Sequence, residues 1–119
     1  MPLRIADWLV FFVALVQASI LIGEMLFWKK PFVHESLGFN AQEAAKVAPI
    51  VANQGLYNGF LAAGLIWGQL ASADSTPIKL FFLTCVILAG IFGAVTVDWK
   101  TLPVQTLPAA VALLSVWMT

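Results

Sequence analysis

The sequence predicts an all-α fold: an integral membrane bundle of four transmembrane helices, with a short interfacial helix between the first and second. Three observations predict it. Of the 119 residues, 61% are hydrophobic and 10% are charged, against about 45–50% and about 25% in soluble domains. Four apolar runs approach the length of about 20 residues that a helix needs to cross a bilayer core of about 30 Å. None of these runs shows the alternating polar pattern of a membrane barrel strand.

The first run, Trp8 to Trp28, carries an indole at each end, where an amphipathic ring prefers the interface. A signal peptide is the competing reading, but the apolar stretch exceeds the usual h-region and no small-x-small cleavage site follows Glu24 and Trp28. The second span is expected from about Pro49 to Leu70, with Pro49 in a first turn where its missing N–H had no partner to lose. The third runs from about Ile78 to Val97, and the fourth from about Leu102 to Trp117, the latter short and interrupted by Pro103 and Pro108. Between the first two spans, Asn40 with Glu43 three residues on reads as a capping box, which predicts the interfacial helix. The other connections, Ala71 to Pro77 and Asp98 to Thr101, are too short to be domains, so residues 1–119 are expected to form one four-helix unit.

An even number of spans puts both termini on one side, with Arg4 and Lys79. Lys29, Lys30, Lys46 and Lys100 fall on the other, which the positive-inside rule assigns to the cytoplasm, leaving the termini non-cytoplasmic. The formal charge of zero and the lack of a basic cluster beyond Lys29-Lys30 exclude a nucleic-acid partner. The apolar composition excludes intrinsic disorder. A lone Cys85 forms no internal disulfide and reads as a small packing residue.

Polar residues inside the spans carry the functional reading, because an ionisable group at a helix centre costs roughly 2.5–3.5 kcal/mol on insertion scales. Glu24 is an ionisable group inside the first span, four residues or roughly 6 Å from its Trp28 end, and Gln17, nearly two turns earlier, shares its face at a separation of about 10 Å along the axis. In the second span Asn53 and Tyr57, and Gln54 and Asn58, are each one turn apart. So many carboxamides are expected to face other helices or a wet cavity rather than acyl chains. Topology puts Glu24, Asn53, Gln54, Tyr57, Asn58 and Gln105 in one half of the bilayer, where they are expected to converge on a pocket floored by Gln17. Gly55-x-x-x-Gly59, Gly64-x-x-x-Gly68 and Ala89-Gly90-x-x-Gly93-Ala94 are expected to let backbones approach closely.

These same residues carry a resemblance. Glu24-Met25 with Trp28, the string Ala52-Asn53-Gln54-Gly55-Leu56-Tyr57-Asn58-Gly59, Phe81-Phe82 with Cys85-Val86, and Gln105 with Leu107-Pro108-Ala109 resemble the small membrane proteins of domain-of-unknown-function family 1304. The resemblance covers nearly the whole chain. It implies a bacterial inner (plasma) membrane protein of four helices without an established activity. At Gln17 the family pattern often carries His, and the departure weakens any proton relay between that position and Glu24.

Three functions compete. In the first, the pocket binds or transports an unknown small molecule, in a proton-coupled manner or otherwise: Glu24 exchanges a proton or pairs with a cationic or hydroxylated group while the carboxamides orient it. In the second, a membrane enzyme acts on a lipid or isoprenoid-like substrate, with Glu24 as general acid or base and Tyr57 or Asn58 polarising the reacting group. Against it, the sequence has no Gly-x-Ser-x-Gly elbow, no His-Glu-x-x-His and no phosphate-cradling glycine loop. In the third, Glu24 only hydrogen-bonds Asn53 and Gln54 across the helix interface. No cofactor is implied and no metal is expected, the adjacent His34 and Glu35 reading as solvated loop residues. The expected partners are the lipid bilayer and, given the small unit and its glycine faces, a second copy of the chain.

Overall fold

The computed structural model describes residues 3–119. Apolar sequence without strand-like alternation folds into helices: α1 (Ile5–Met25), the single-turn α2 (Pro31–His34), α3 (Ala41–Leu70), α4 (Ser75–Thr96) and α5 (Leu107–Met118). A 3₁₀ turn at Glu35–Leu37 follows α2, and a π-helical stretch at Leu102–Thr106 runs into α5. The described residues contain no strand.

The long helices alternate in direction and close a ring, α1 against α3, α3 against α4, α4 against α5, and α5 back against α1. The whole measures 48 × 22 × 18 Å. Its core is a column of Val10, Val13, Ala14, Leu65, Leu83, Val86, Ala109 and Ala112, with Leu9, Leu61, Phe82 and Leu113 packed around it. Small residues set the helix separation. A β-carbon at Gly64 would collide with the Phe82 ring, and one at Gly90 would lie 2.9 Å from the backbone nitrogen of Thr106. Most large apolar side chains point outward, among them Trp8, Phe12, Phe60, Phe81, Phe92 and Leu114.

Two helices, α1 and α4, are long and apolar enough to cross a membrane. The other two expected spans do not meet that measure. The carboxamides of α3 dilute its apolar character, and Leu102–Met118 is a shorter apolar helix.

Boundaries differ from the sequence expectation in instructive ways. The first helix stops at Met25, before Trp28. The Asn40 cap is present, with the Glu43 N–H donating to Asn40 Oδ1 at 2.8 Å and the Asn40 N–H to Glu43 Oε1 at 3.0 Å. It does not start a separate interfacial helix; it opens a 30-residue helix that runs through Pro49. Pro49 is exposed, so the Ala45 carbonyl it leaves without a helical donor lies at the surface. The segment between α1 and α3 instead holds α2 and the 3₁₀ turn, closed by Gly38 at φ 85°, a backbone state that glycine reaches without steric cost.

The prolines of the fourth segment also find a local solution. Pro103 and Pro108 donate no hydrogen bond, and the Leu107 N–H reaches back five residues to the Leu102 carbonyl in a wider π turn. That turn packs on Gly90, with Thr101 Oγ1 donating to the Gly90 carbonyl at 2.6 Å and Thr106 Oγ1 to the Ile87 carbonyl at 3.2 Å.

Candidate functional site

The antiparallel pairing of α1 with α3 is what assembles the polar residues. At Gly55 a β-carbon would lie 2.8 Å from Met25 Cγ and 3.0 Å from Glu24 Cβ, so only a bare backbone permits this approach. One turn further along α3, Asn58 is buried and bridges the two polar residues of α1. Gln17 Nε2 donates to Asn58 Oδ1 at 3.1 Å, and Asn58 Nδ2 donates to Glu24 Oε1 at 2.7 Å. The spacing of Gln17 and Glu24 on α1 is thus spanned by one carboxamide from the facing helix.

The two ends of this chain differ. Gln17 is fully buried, and its Oε1 has no partner among the described residues. Glu24 is only partly buried, and no described group donates to its Oε2. Glu24 lines a groove of about 430 Å³ together with Met25, Leu26, Trp28, Lys29, Ala48, Pro49 and Ala52. A carboxylate steered through one oxygen and left open through the other can accept a hydrogen bond from, or pair with, a group entering that groove.

The remaining expected site residues are elsewhere. Asn53, Gln54 and Tyr57 are exposed on the outer side of α3, and Tyr57 stacks edge-on with Phe60. Helical spacing groups them with Asn58 to within a turn, but α1 covers only the narrow strip marked by Gly55, Asn58 and Gly59. Gln105 lies in the π-helical stretch, where its β-carbon packs near Gly90. It makes no side-chain hydrogen bond with Gln17, Glu24 or Asn58.

Three features at this end of the bundle go beyond the sequence reading. Trp28, expected at an interface, is buried: its Nε1–H donates to the Ala44 carbonyl at 2.8 Å, and its ring packs edge-on against His34 and Phe39. His34, expected in solvent, is buried as well, with its Nδ1–H donating to the Trp28 carbonyl at 2.9 Å. Lys100 Nζ donates to the Ser36 carbonyl at 2.6 Å and lies 3.8 Å from Asp98 Oδ2, tying the α4–α5 connection to the same loop. Trp28 therefore lines the groove, and the cluster around it fixes the loop that carries Lys29. An indole flanked by an aromatic and a histidine within a dozen residues was the available signal.

At the opposite end of the bundle, the nearly buried Lys79 pairs with Asp7 at 3.3 Å, and Gln69 Nε2 donates to the Asp7 carbonyl at 2.9 Å. This cluster joins α1, α3 and α4. A second groove, lined by Trp67, Asp74, Pro77, Ile78, Phe81 and Phe82, opens where α3 turns into α4. No group of three or more His, Cys, Asp or Glu able to hold a metal occurs among the described residues.

The fold and this polar chain define a helical bundle with two helices fit to cross a membrane and a carboxylate held between helices beside a groove. The family model described as "Protein of unknown function (DUF1304)" matches residues 11–117, and the chain belongs to that family. It is similar to "Uncharacterized protein YpaA" of Lactococcus lactis subsp. lactis (strain IL1403), 31% identical over 80 residues that make up 67% of each chain. No solved structure matches the chain.

Proposed function

We propose that the protein is a four-span integral membrane protein that binds, through Glu24, a small molecule bearing a hydrogen-bond donor or a positive charge. The observation that carries this reading is the unequal use of the two Glu24 oxygens. Asn58 occupies Oε1, while Oε2 is left for a ligand beside a groove whose other residues are largely apolar. Gln17 holds Asn58 from behind, so the carboxylate is oriented before a ligand arrives.

The membrane setting is supported by the outward apolar side chains and by the 48 Å length, close to the 40–45 Å of a bilayer with its headgroups. In this setting α3 and Leu102–Met118 span with α1 and α4, the carboxamide dilution of α3 being tolerated where Asn58 faces α1. Lys29, Lys30, Lys46 and Lys100 gather at the groove end, which the positive-inside rule assigns to the cytoplasm of a bacterial inner membrane.

The test uses dodecylammonium as probe. Native mass spectrometry of detergent-purified protein is expected to show saturable binding of the probe to the wild type. Occupancy is expected to fall about tenfold in Glu24→Gln, the loss of one charge-assisted hydrogen bond, while the variant keeps its helical circular dichroism and melting point. Equal occupancy in the two proteins would contradict the reading.

A further inference from the structure

The groove beside Glu24 carries two charges of opposite sign. Lys29 lies five residues beyond Glu24, past the end of α1, and lines the same groove. The two form no ion pair with each other, and Lys29 makes none with any described residue. Lys30, Lys46 and Lys100 do not line it. Between and around the charges the lining is apolar: Met25, Leu26, Ala48, Pro49 and Ala52. The apolar surface continues outward over Leu26 and Ile50, each 70% exposed.

A ligand complementary to this layout has a donor-bearing cation for Glu24 Oε2, an anion for Lys29, and apolar chains for the surface beyond. Resting on the ligand-binding reading of Glu24, we infer that the groove holds a glycerophospholipid with a primary-amine headgroup. Its ammonium donates to Glu24 and its phosphate faces Lys29. Its acyl chains run along the exposed flank of α1 and α3. A primary ammonium has three N–H donors. A trimethylated ammonium has none, and a headgroup ending in hydroxyls has no charge to offer the carboxylate, so the site discriminates by headgroup.

Native mass spectrometry with chain-matched phosphatidylethanolamine, phosphatidylcholine and phosphatidylglycerol tests the inference. Phosphatidylethanolamine is expected to exceed each of the others about tenfold in occupancy at equal concentration. Glu24→Gln is expected to erase its advantage over phosphatidylcholine. Lys29→Gln is expected to weaken phosphatidylethanolamine binding severalfold while leaving dodecylammonium binding no weaker, and Lys30→Gln is expected to change neither. Equal binding of the three lipids by the wild type overturns the inference without any variant having to fold. If dodecylammonium still depends on Glu24 in that case, the binding reading survives and only the lipid assignment fails. Water-soluble phosphoethanolamine is expected to compete poorly. Competition at the affinity of the lipid itself would assign the groove to a soluble phosphoamine and overturn the lipid.

Discussion

Asn58 on α3 donates to Glu24 on α1 across 2.7 Å while its own carbonyl accepts from Gln17 at 3.1 Å, so a single carboxamide spends both of its functions on one neighbouring helix. Such an arrangement is a register device as well as a site. It fits only when α1 and α3 stand opposite each other as Gly55 permits, and a shift of either helix along its axis breaks both bonds at once.

Asn58→Ala is therefore expected to lower stability by more than a surface change. Removing the carboxamide strands Gln17 Nε2 and Glu24 Oε1 together. Leaving buried polar groups without partners costs about 1–3 kcal/mol, though interhelical hydrogen bonds within lipid average only about 0.6 kcal/mol. Guanidinium or thermal melts in detergent are expected to show a loss of about 1–2 kcal/mol. A cycle with Glu24→Ala is expected to show coupling of at least about 0.5 kcal/mol.

The glycines divide by what they face. A β-carbon at Gly59 meets the flexible end of Leu21, whereas one at Gly90 meets the Thr106 backbone nitrogen. Gly90→Ala is expected to cost about 1–3 kcal/mol, the usual range for overpacking a close contact, and Gly59→Ala clearly less. The order of the two melting points checks this.

At the end of the bundle away from the groove, the nearly buried Lys79 pairs with Asp7, which is partly exposed and also accepts from the Arg4 N–H. Removing the carboxylate strands the nearly buried ammonium, so Asp7→Asn is expected to destabilise more than Asp7→Asn combined with Lys79→Met. Melts of the two variants give the comparison, and dodecylammonium binding is expected to be unaffected in the double variant.

Trp28→Phe keeps the apolar ring and deletes the N–H that reaches the Ala44 carbonyl. It is expected to cost about 0.5–1.5 kcal/mol and to raise hydrogen exchange in residues 29–39, the loop that this bond and the His34 contact hold against α3.

The helical class and the apolar runs were legible because lipid-like composition and run length depend on residue type alone. The Asn40 capping box was legible because its partners lie three residues apart. The break at Met25 was not, since nothing local marks where the chain turns to bury Trp28. Pro49 misled: a proline at a helix surface is tolerated inside a long helix when packing on both sides holds it. For the site, Gln17, Glu24 and Asn58 were picked out by cost of burial and by helical spacing. Spacing could not separate Asn58 from Asn53, Gln54 and Tyr57, because the width of the strip that α1 covers is set by tertiary contact. Lys29 was read only as a topological charge.

The Glu24 side chain faces an open groove while Asn58 and Gln17 behind it are sealed. Single cysteines at Glu24, Gln17 and Asn58, each in a Cys85→Ser background and reacted with a membrane-permeant maleimide in bilayers, test it most directly. Rapid labelling of Glu24→Cys is expected, with protection of Gln17→Cys and Asn58→Cys. Protection of all three alike would contradict this arrangement and leave Glu24 a packing residue.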